Sequence, residues 1–348
     1  ALLSMLPVPP DRGYAAYVDL RVLCLLFCLM AVVAGLQSCQ LFSLMAQRLL
    51  AGKHSPRFVM TLLVLLPFFT SMLVTNDVSL ITFVPFAILV LEIIGRLDYL
   101  IPVVVLQTVA ANLGSMATPV GNPQNLFLYA SYNLSAGSFF GVMVPLTLLS
   151  LVGLLAACLF FPKGVIQVDF SQPCTITSKK RLGMYLVLFL LCLLTVFRVL
   201  PYGALTVLVA VLLLAVDRPI LKKVDYCLLL TFVCFFIFAG NIGAIEQVKV
   251  FLETLLSRSA ALSSILASQV ISNVPAAVLL AGFTDDWRGL LVGTNLGGLG
   301  TLIASLASLI SFKLYAALPE AKPGRYLAVF TAVNLAGLAI LVPLSFLL

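Results

Sequence analysis

Residues 111–125 place Asn112, Asn122, Asn125, Gly114, Gly121, Pro119 and Pro123 inside a run that is otherwise apolar enough to lie in a bilayer. Proline breaks the helical hydrogen-bond ladder and glycine weakens it, so this stretch cannot be one continuous helix. At membrane depth, irregular backbone survives only where it is buried in protein or lines a cavity. The stretch therefore marks a site.

The rest of the chain supplies the membrane. Hydrophobic residues make up 62% and charged residues 9% of the 348, with a mean hydropathy of +1.17, whereas soluble domains carry roughly 25% charged residues. The chain reads as an all-α polytopic membrane protein. Segment 1–6 reads as the end of an apolar helix whose beginning is missing, with no charged region of a signal peptide before it. The net charge of +7 belongs to the positive-inside rule rather than to a nucleic-acid partner. The eight cysteines form no C-x-x-C pair, and Cys24, Cys28, Cys158, Cys192, Cys227 and Cys234, which sit in apolar runs, read as small packing residues. His54 is the only histidine, which removes histidine-based catalytic triads and zinc sites.

Two halves follow one plan. The first repeat, 1–161, holds a scaffold span at 19–37, an interfacial helix at 41–50, a hairpin at 57–95, a broken helix at 99–132 and a span at 137–161. A polar linker occupies 162–181. The second repeat, 182–348, holds spans at 182–200, 205–216 and 225–244, an interfacial helix at 246–258, a hairpin at 260–283, a broken helix at 288–315 and a span at 325–347. Val18 and Asp19 match Val224 and Asp225; Ala34 and Gly35 match Ala239 and Gly240; Thr75 and Asn76 match Ser272 and Asn273. Asn112, Gly114 and Thr118 match Asn295, Gly297 and Thr301 in the same order.

If both broken apolar regions are re-entrant hairpins, the second half is inverted relative to the first, a signature of secondary transporters. Basic residues at 48–57, in the linker and at 218–223 then fall on one side, which is the cytoplasm. That places the first hairpin and the linker on the cytoplasmic side of a cell inner (plasma) membrane. Residues 260–283 also have the length of one full span, but the basic residues fit the hairpin better.

Each hairpin tip opposes a helix C-terminus to a helix N-terminus, whose free carbonyls suit a cation and whose free N–H groups suit an anion. Thr75, Asn76, Ser272 and Asn273 suit such tips, as ion ligands or as helix caps. Gly114, Gly121, Gly297 and Gly298 permit close backbone approach and positive φ; Gly298 and Gly300 read equally well as small-residue helix contacts. Asp77 is the one acidic residue at a tip. An intramembrane carboxylate is costly; it can ligate a cation, carry a coupling proton, or cap the return helix.

At these residues the chain resembles the ion transporter superfamily of divalent anion/sodium symporters, citrate transporters, arsenite permeases and sodium/proton antiporters. The run N-L-G-S-M-A-T-P-V-G-N-P-Q-N at 112–125 is similar to the symporters' N-I-G-G-x-x-T-P-x-G-T-P-P-N, and the tips resemble their two Ser-Asn-Thr signatures. The resemblance implies an elevator mechanism in a homodimer. It implies one sodium site at Ser71, Thr75, Asn76 and Gly121, and another at Ser268, Ile271, Asn273 and Ala304. Solute would touch Thr75, Asn76, Asn122, Ser272, Asn273 and Ser305, with Asp77 beside them. The broken-helix motif itself comprises Asn112, Gly114, Thr118, Asn125, Asn295, Gly297 and Thr301.

The third signature residue is Asp77 in one tip and Val274 in the other, and Asn122 stands where the family has Thr. A Thr-Asn-Asp tip is closer to arsenite permeases. The expected function is cation-coupled transport of a small anionic solute, a carboxylate or an inorganic oxyanion. The alternatives are a proton-coupled arsenite-type exporter and a sodium/proton antiporter. The expected partners are that solute, the bilayer and a second copy, with no nucleic acid and no cofactor beyond sodium ions. An intramembrane enzyme would need paired catalytic groups that one histidine and one mid-membrane aspartate do not supply. Broken segments argue against the continuous pore-lining helices of a channel.

Overall fold

The computed structural model describes residues 2–9, 14–170 and 174–347; Ala1 of the N-terminal segment and positions 171–173 of the linker lie outside them. In chain order the helices are α1 (Tyr14–Tyr17), α2 (Leu20–Ser38), α3 (Leu41–Leu50), α4 (Pro56–Thr70), α5 (Asn76–Ile93), α6 (Leu100–Ser115), α7 (Pro123–Ser131) and α8 (Ala136–Cys158). Then come α9 (Lys179–Val196), α10 (Tyr202–Val216), α11 (Arg218–Leu221), α12 (Tyr226–Gly243), α13 (Glu246–Arg258) and α14 (Ala260–Ile271). The last are α15 (Asn273–Leu280), α16 (Trp287–Leu296), α17 (Leu306–Ala316) and α18 (Pro323–Ser345). Leu2–Met5, Leu97–Tyr99 and Ala281–Phe283 are 3-10 turns. Strands β1 (Gly52–His54) and β2 (Ile166–Val168) pair antiparallel in a two-stranded ladder that the sequence reading lacked.

Among the described residues, six helices are long and apolar enough to cross a membrane. The protein is an all-α polytopic membrane protein. Its contacts divide it into two compact units. One comprises Ala1–Cys39, Pro123–Ala136 and Ser178–Gly297; the other comprises Gln40–Asn122, Gly137–Thr177 and Gly298–Leu348.

In the first unit, α2 packs on α9 and α10, and α12 packs on α15. Asp19 accepts from Val22 N at 3.1 Å to cap α2, and Asp225 accepts from Leu228 N at 2.9 Å to cap α12. The matched glycines are alike too. A methyl group on Gly35 would enter the ring of Tyr185, and one on Gly240 the ring of Tyr17. In both places glycine lets an aromatic ring lie flat on a helix.

In the second unit α6 is the centre, packed by α4, α5, α17 and α18. Every one of its residues from Val103 to Ser115 is buried. A helix buried on all sides needs no polar face. Its polar residues therefore have another purpose.

Candidate functional site

Each hairpin is established by its own contacts. In the first, the Thr70 and Ser79 hydroxyls lie 2.7 Å apart and Ser79 Oγ donates to the Pro67 carbonyl at 3.3 Å, so α4 and α5 run antiparallel about a tip at 71–75. Proline has no N–H, so Pro67 leaves the Leu63 carbonyl, four residues earlier, without its helical donor. Gln107 of α6 supplies one: its Nε2 donates to Leu63 O at 2.9 Å and to Phe83 O at 3.3 Å, clamping both arms. The sequence reading missed this residue. Its signal was an uncharged amide alone in an apolar run five positions before Asn112.

In the second hairpin the chain turns at Ser272, with φ 72° and ψ 154°. The return arm α15 packs on α14, and the Ala281–Phe283 turn beyond it reaches back to α13. Helix α13 itself lies at 120° to α14. Arms of 12 and 8 residues reach only ~18 and ~12 Å, short of the ~30 Å hydrocarbon core. Segment 260–283 is thus a re-entrant hairpin and not one span.

The two tips share one hydrogen bond. Asn76 Oδ1 accepts from the next residue's N–H, that of Asp77, at 3.1 Å; Asn273 Oδ1 does the same from Val274 at 3.0 Å. Thr75 and Ser272 precede them without capping through their side chains.

The second unit gathers the first tip into a network. Asn112 Oδ1 accepts from Asn76 Nδ2 at 2.9 Å and from Ser305 Oγ at 3.1 Å, while Asn112 Nδ2 donates to the Gly298 carbonyl at 3.3 Å. Asn122 Nδ2 donates to Ser115 Oγ at 3.1 Å, and Ser115 donates to the Asn112 carbonyl at 2.9 Å. Asn76 N donates to Gly121 O at 3.2 Å, and Thr118 Oγ1 to Met72 O in the tip. Ser71 is fully buried and donates to Phe68 O at 3.0 Å. Asp77 is half-buried in the first turn of α5, where the helix dipole favours a carboxylate. So Ser71, Thr75, Asn76, Asp77, Asn112, Thr118, Gly121, Asn122 and Ser305 share one unit.

The second tip stands in the first unit. There Asn295 Nδ2 donates to Asn125 Oδ1 at 2.6 Å, joining α16 to α7. Gln269, also missed, donates from Nε2 to the Gly297 carbonyl at 3.0 Å, fixing the end of α16. Ser268 Oγ donates to Ser264 O at 2.7 Å, and Ile271 ends α14 part-exposed. Ala304 and Thr301 belong to the other unit, Ala304 buried and Thr301 exposed.

Glycine does one of the two things expected of it. A methyl on Gly114 would strike the Phe68 carbonyl and Ser71 Oγ, one on Gly297 would strike Ser268 Oγ, and one on Gly121 the Ser115 carbonyl. These are close approaches. Positive φ, expected at Gly114, Gly121, Gly297 and Gly298, is instead adopted by Gly300 at 109°. Gly114 and Gly297 serve packing, because the first arm of each hairpin lies directly on the first half of its broken helix.

Each compact unit therefore contains a hairpin, the first half of its own broken helix and the second half of the other one. Across 58–91, 100–132, 260–283 and 289–312 the sequence has no lysine or arginine, and Asp77 is the single charged residue.

The profile of the citrate transporter family matches residues 1–285. An uncharacterised transporter of Methanocaldococcus jannaschii is 32% identical over 342 residues, covering 98% of this chain and 93% of that protein. Inner membrane protein YbiR of Escherichia coli is 31% identical over 326 residues, covering 90% and 84%. A silicon efflux transporter of Oryza sativa subsp. japonica is 31% identical over 139 residues, covering 40% of this chain and 28% of that protein.

Proposed function

The chain belongs to the citrate transporter family, and from that premise we propose a cation-coupled secondary transporter of elevator type, working as a homodimer and carrying a small anionic solute, a carboxylate or an inorganic oxyanion. One observation carries the coupling. Away from their ends, across 58–91, 100–132, 260–283 and 289–312, the hairpins and broken helices hold no basic residue and one carboxylate, Asp77, so an anion bound there has only neutral donors and helix N-termini for partners. Burying a charge without a counter-charge is costly. A cation entering with the solute supplies the missing charge. Ser305 at the start of α17 and Asn76 at the start of α5 supply donors next to helix N-termini, which favour anions.

In one unit a sodium ion is taken up by the Gly121 carbonyl with Ser71, Thr75 and Asn76, and solute contacts come from Thr75, Asn76, Asn122 and Ser305. In the other unit a sodium ion is taken up by Ser268, Ile271 and Asn273, and solute contacts come from Ser272 and Asn273. The second reading is a proton-coupled exporter of a hydroxylated neutral solute. Asp77 favours it, because an ionised carboxylate about 4 Å from a dianion repels it by several kcal/mol at intermediate dielectric. The partial likeness to a silicon efflux transporter points the same way.

The test is uptake into vesicles reconstituted with the purified protein, with citrate, smaller carboxylates and oxyanions offered under imposed sodium or proton gradients. Acceleration by one inward cation gradient is expected; uptake indifferent to both overturns the coupling. Asp77→Asn sorts the two readings. A flattened pH profile supports proton carriage by Asp77, whereas an unchanged profile with dianion affinity raised ~tenfold supports the sodium-coupled reading.

A further inference from the structure

Away from both tip networks, the first unit holds a cavity of about 370 Å³, within the 300–1,000 Å³ range of small-molecule sites. The residues that line it include Tyr17, Phe127, Phe236 and Phe283, together with Asp19 and Gly282. No lysine or arginine lines it among the described residues; Arg21, the nearest basic residue in sequence, is not part of the wall. Asp19 is the one charged residue in the wall among the described residues. Aromatic faces attract cations, most strongly when water is excluded, and the recognition of quaternary ammonium groups rests on such rings. Asp19 sits at the N-terminal end of α2, so a ligand with its charge there extends its apolar part inward along the helices.

We propose that this cavity binds a small organic cation, an aromatic or alkyl ammonium compound, with the charge held at Asp19 and the apolar body among the four rings. Asp19 keeps its capping bond to Val22 N in this arrangement, because the bond uses one carboxylate oxygen, Oδ1. Phe283 and Gly282 belong to the turn closing the return arm of the second hairpin, Phe236 to α12 and Phe127 to α7. A bound cation thus ties three elements together. If the hairpin moves during transport, as the elevator reading requires, such a ligand holds it still; this consequence rests on that reading.

Phenyltrimethylammonium is a rigid probe for the site, and its binding to the full-length purified protein can be measured by calorimetry without any transport assay. Saturable binding to the wild type is expected. Asp19→Asn keeps the helix cap, since Asn caps as well as Asp, and should weaken binding ~tenfold by removing the charge. Gly282→Phe should abolish binding, because an added side chain there starts in open space and grows into the cavity. No binding by the wild type, or wild-type affinity in either variant, overturns the proposal. Binding that leaves solute uptake untouched confirms the site and overturns the pinning of the hairpin, while a failed uptake assay alone bears only on the transport reading.

Discussion

The two hairpins solve one problem with different amounts of backbone. The first uses five residues, 71–75, and reaches Asn76 with ordinary extended geometry at Thr75, φ −67° and ψ 153°. The second turns on Ser272 alone, at φ 72°. The first is clamped midway by Gln107 on both arms; the second is held at its base, where the Tyr132 hydroxyl lies 3.0 Å from Ala281 O and 2.7 Å from Thr284 O. What survives both designs is the Asn side chain folded onto the next N–H. The tip chemistry is fixed, and the means of supporting it varies.

The sharpest break in this comparison comes from the paired glycines. Gly114→Ala drives a methyl into a backbone carbonyl, that of Phe68, which cannot rotate away; at Gly297 the first obstacle is the Ser268 hydroxyl. Overpacking costs about 1–3 kcal/mol and sometimes more. Gly114→Ala should reach the upper end and lose most transport. Gly297→Ala should cost visibly less, because its nearest obstacles, Ser268 Oγ at 2.6 Å and the Gly293 carbonyl at 2.7 Å, stand farther off than the Phe68 carbonyl does from Gly114. Denaturation midpoints in detergent measure the difference, and equal losses would mean the two hairpin contacts are equally rigid.

Next in size is glycine at the tips. Ser272 lies near a region that only glycine occupies freely, at a cost of about 1–3 kcal/mol. Ser272→Gly should raise the melting temperature by a few degrees, while Thr75→Gly should lower it through added unfolded-state entropy. A fall in both variants would show that the Ser272 side chain contributes more than its strain costs.

The smallest effect separates the bases. Tyr132→Phe removes the hydroxyl that lies 3.0 Å from Ala281 O and 2.7 Å from Thr284 O, a net loss of about 1 kcal/mol. The melting temperature in detergent should fall by about a degree or two. An unchanged melting temperature would remove Tyr132 from the support of the second hairpin.

Much of this was legible in the sequence because polar residues in an apolar run are conspicuous. Asn76, Asn112, Asn273 and Asn295 stand out on composition alone, and matching them in order gave the repeat and both hairpins. The matched glycines were legible as close approaches, since contact with a neighbouring element is the commonest use of a small residue in a bundle. Their φ was not, because backbone conformation depends on the loop that closes around the residue. The partner of each half-helix was hidden as well. Periodicity says that α6 is buried on all sides, yet nothing local says that α17 meets it 193 residues later through Ser305 and Asn112. Gln107 was overlooked for the same reason: its partners are carbonyls, which every residue has.

The exchange of half-helices also has a consequence in time. Thr108 donates to Ser311 at 2.7 Å across 203 residues of chain, and Asn112 waits for Ser305 across 193. Contacts so distant in sequence form slowly, because the loop they close must be ordered before they reward it. During synthesis, which proceeds at ~5–20 residues per second, the first hairpin and α6 are inserted well before α17 exists. For that interval Asn112 has Asn76 but not yet Ser305, and Thr108 lies in the membrane before Ser311 exists to accept its hydrogen bond.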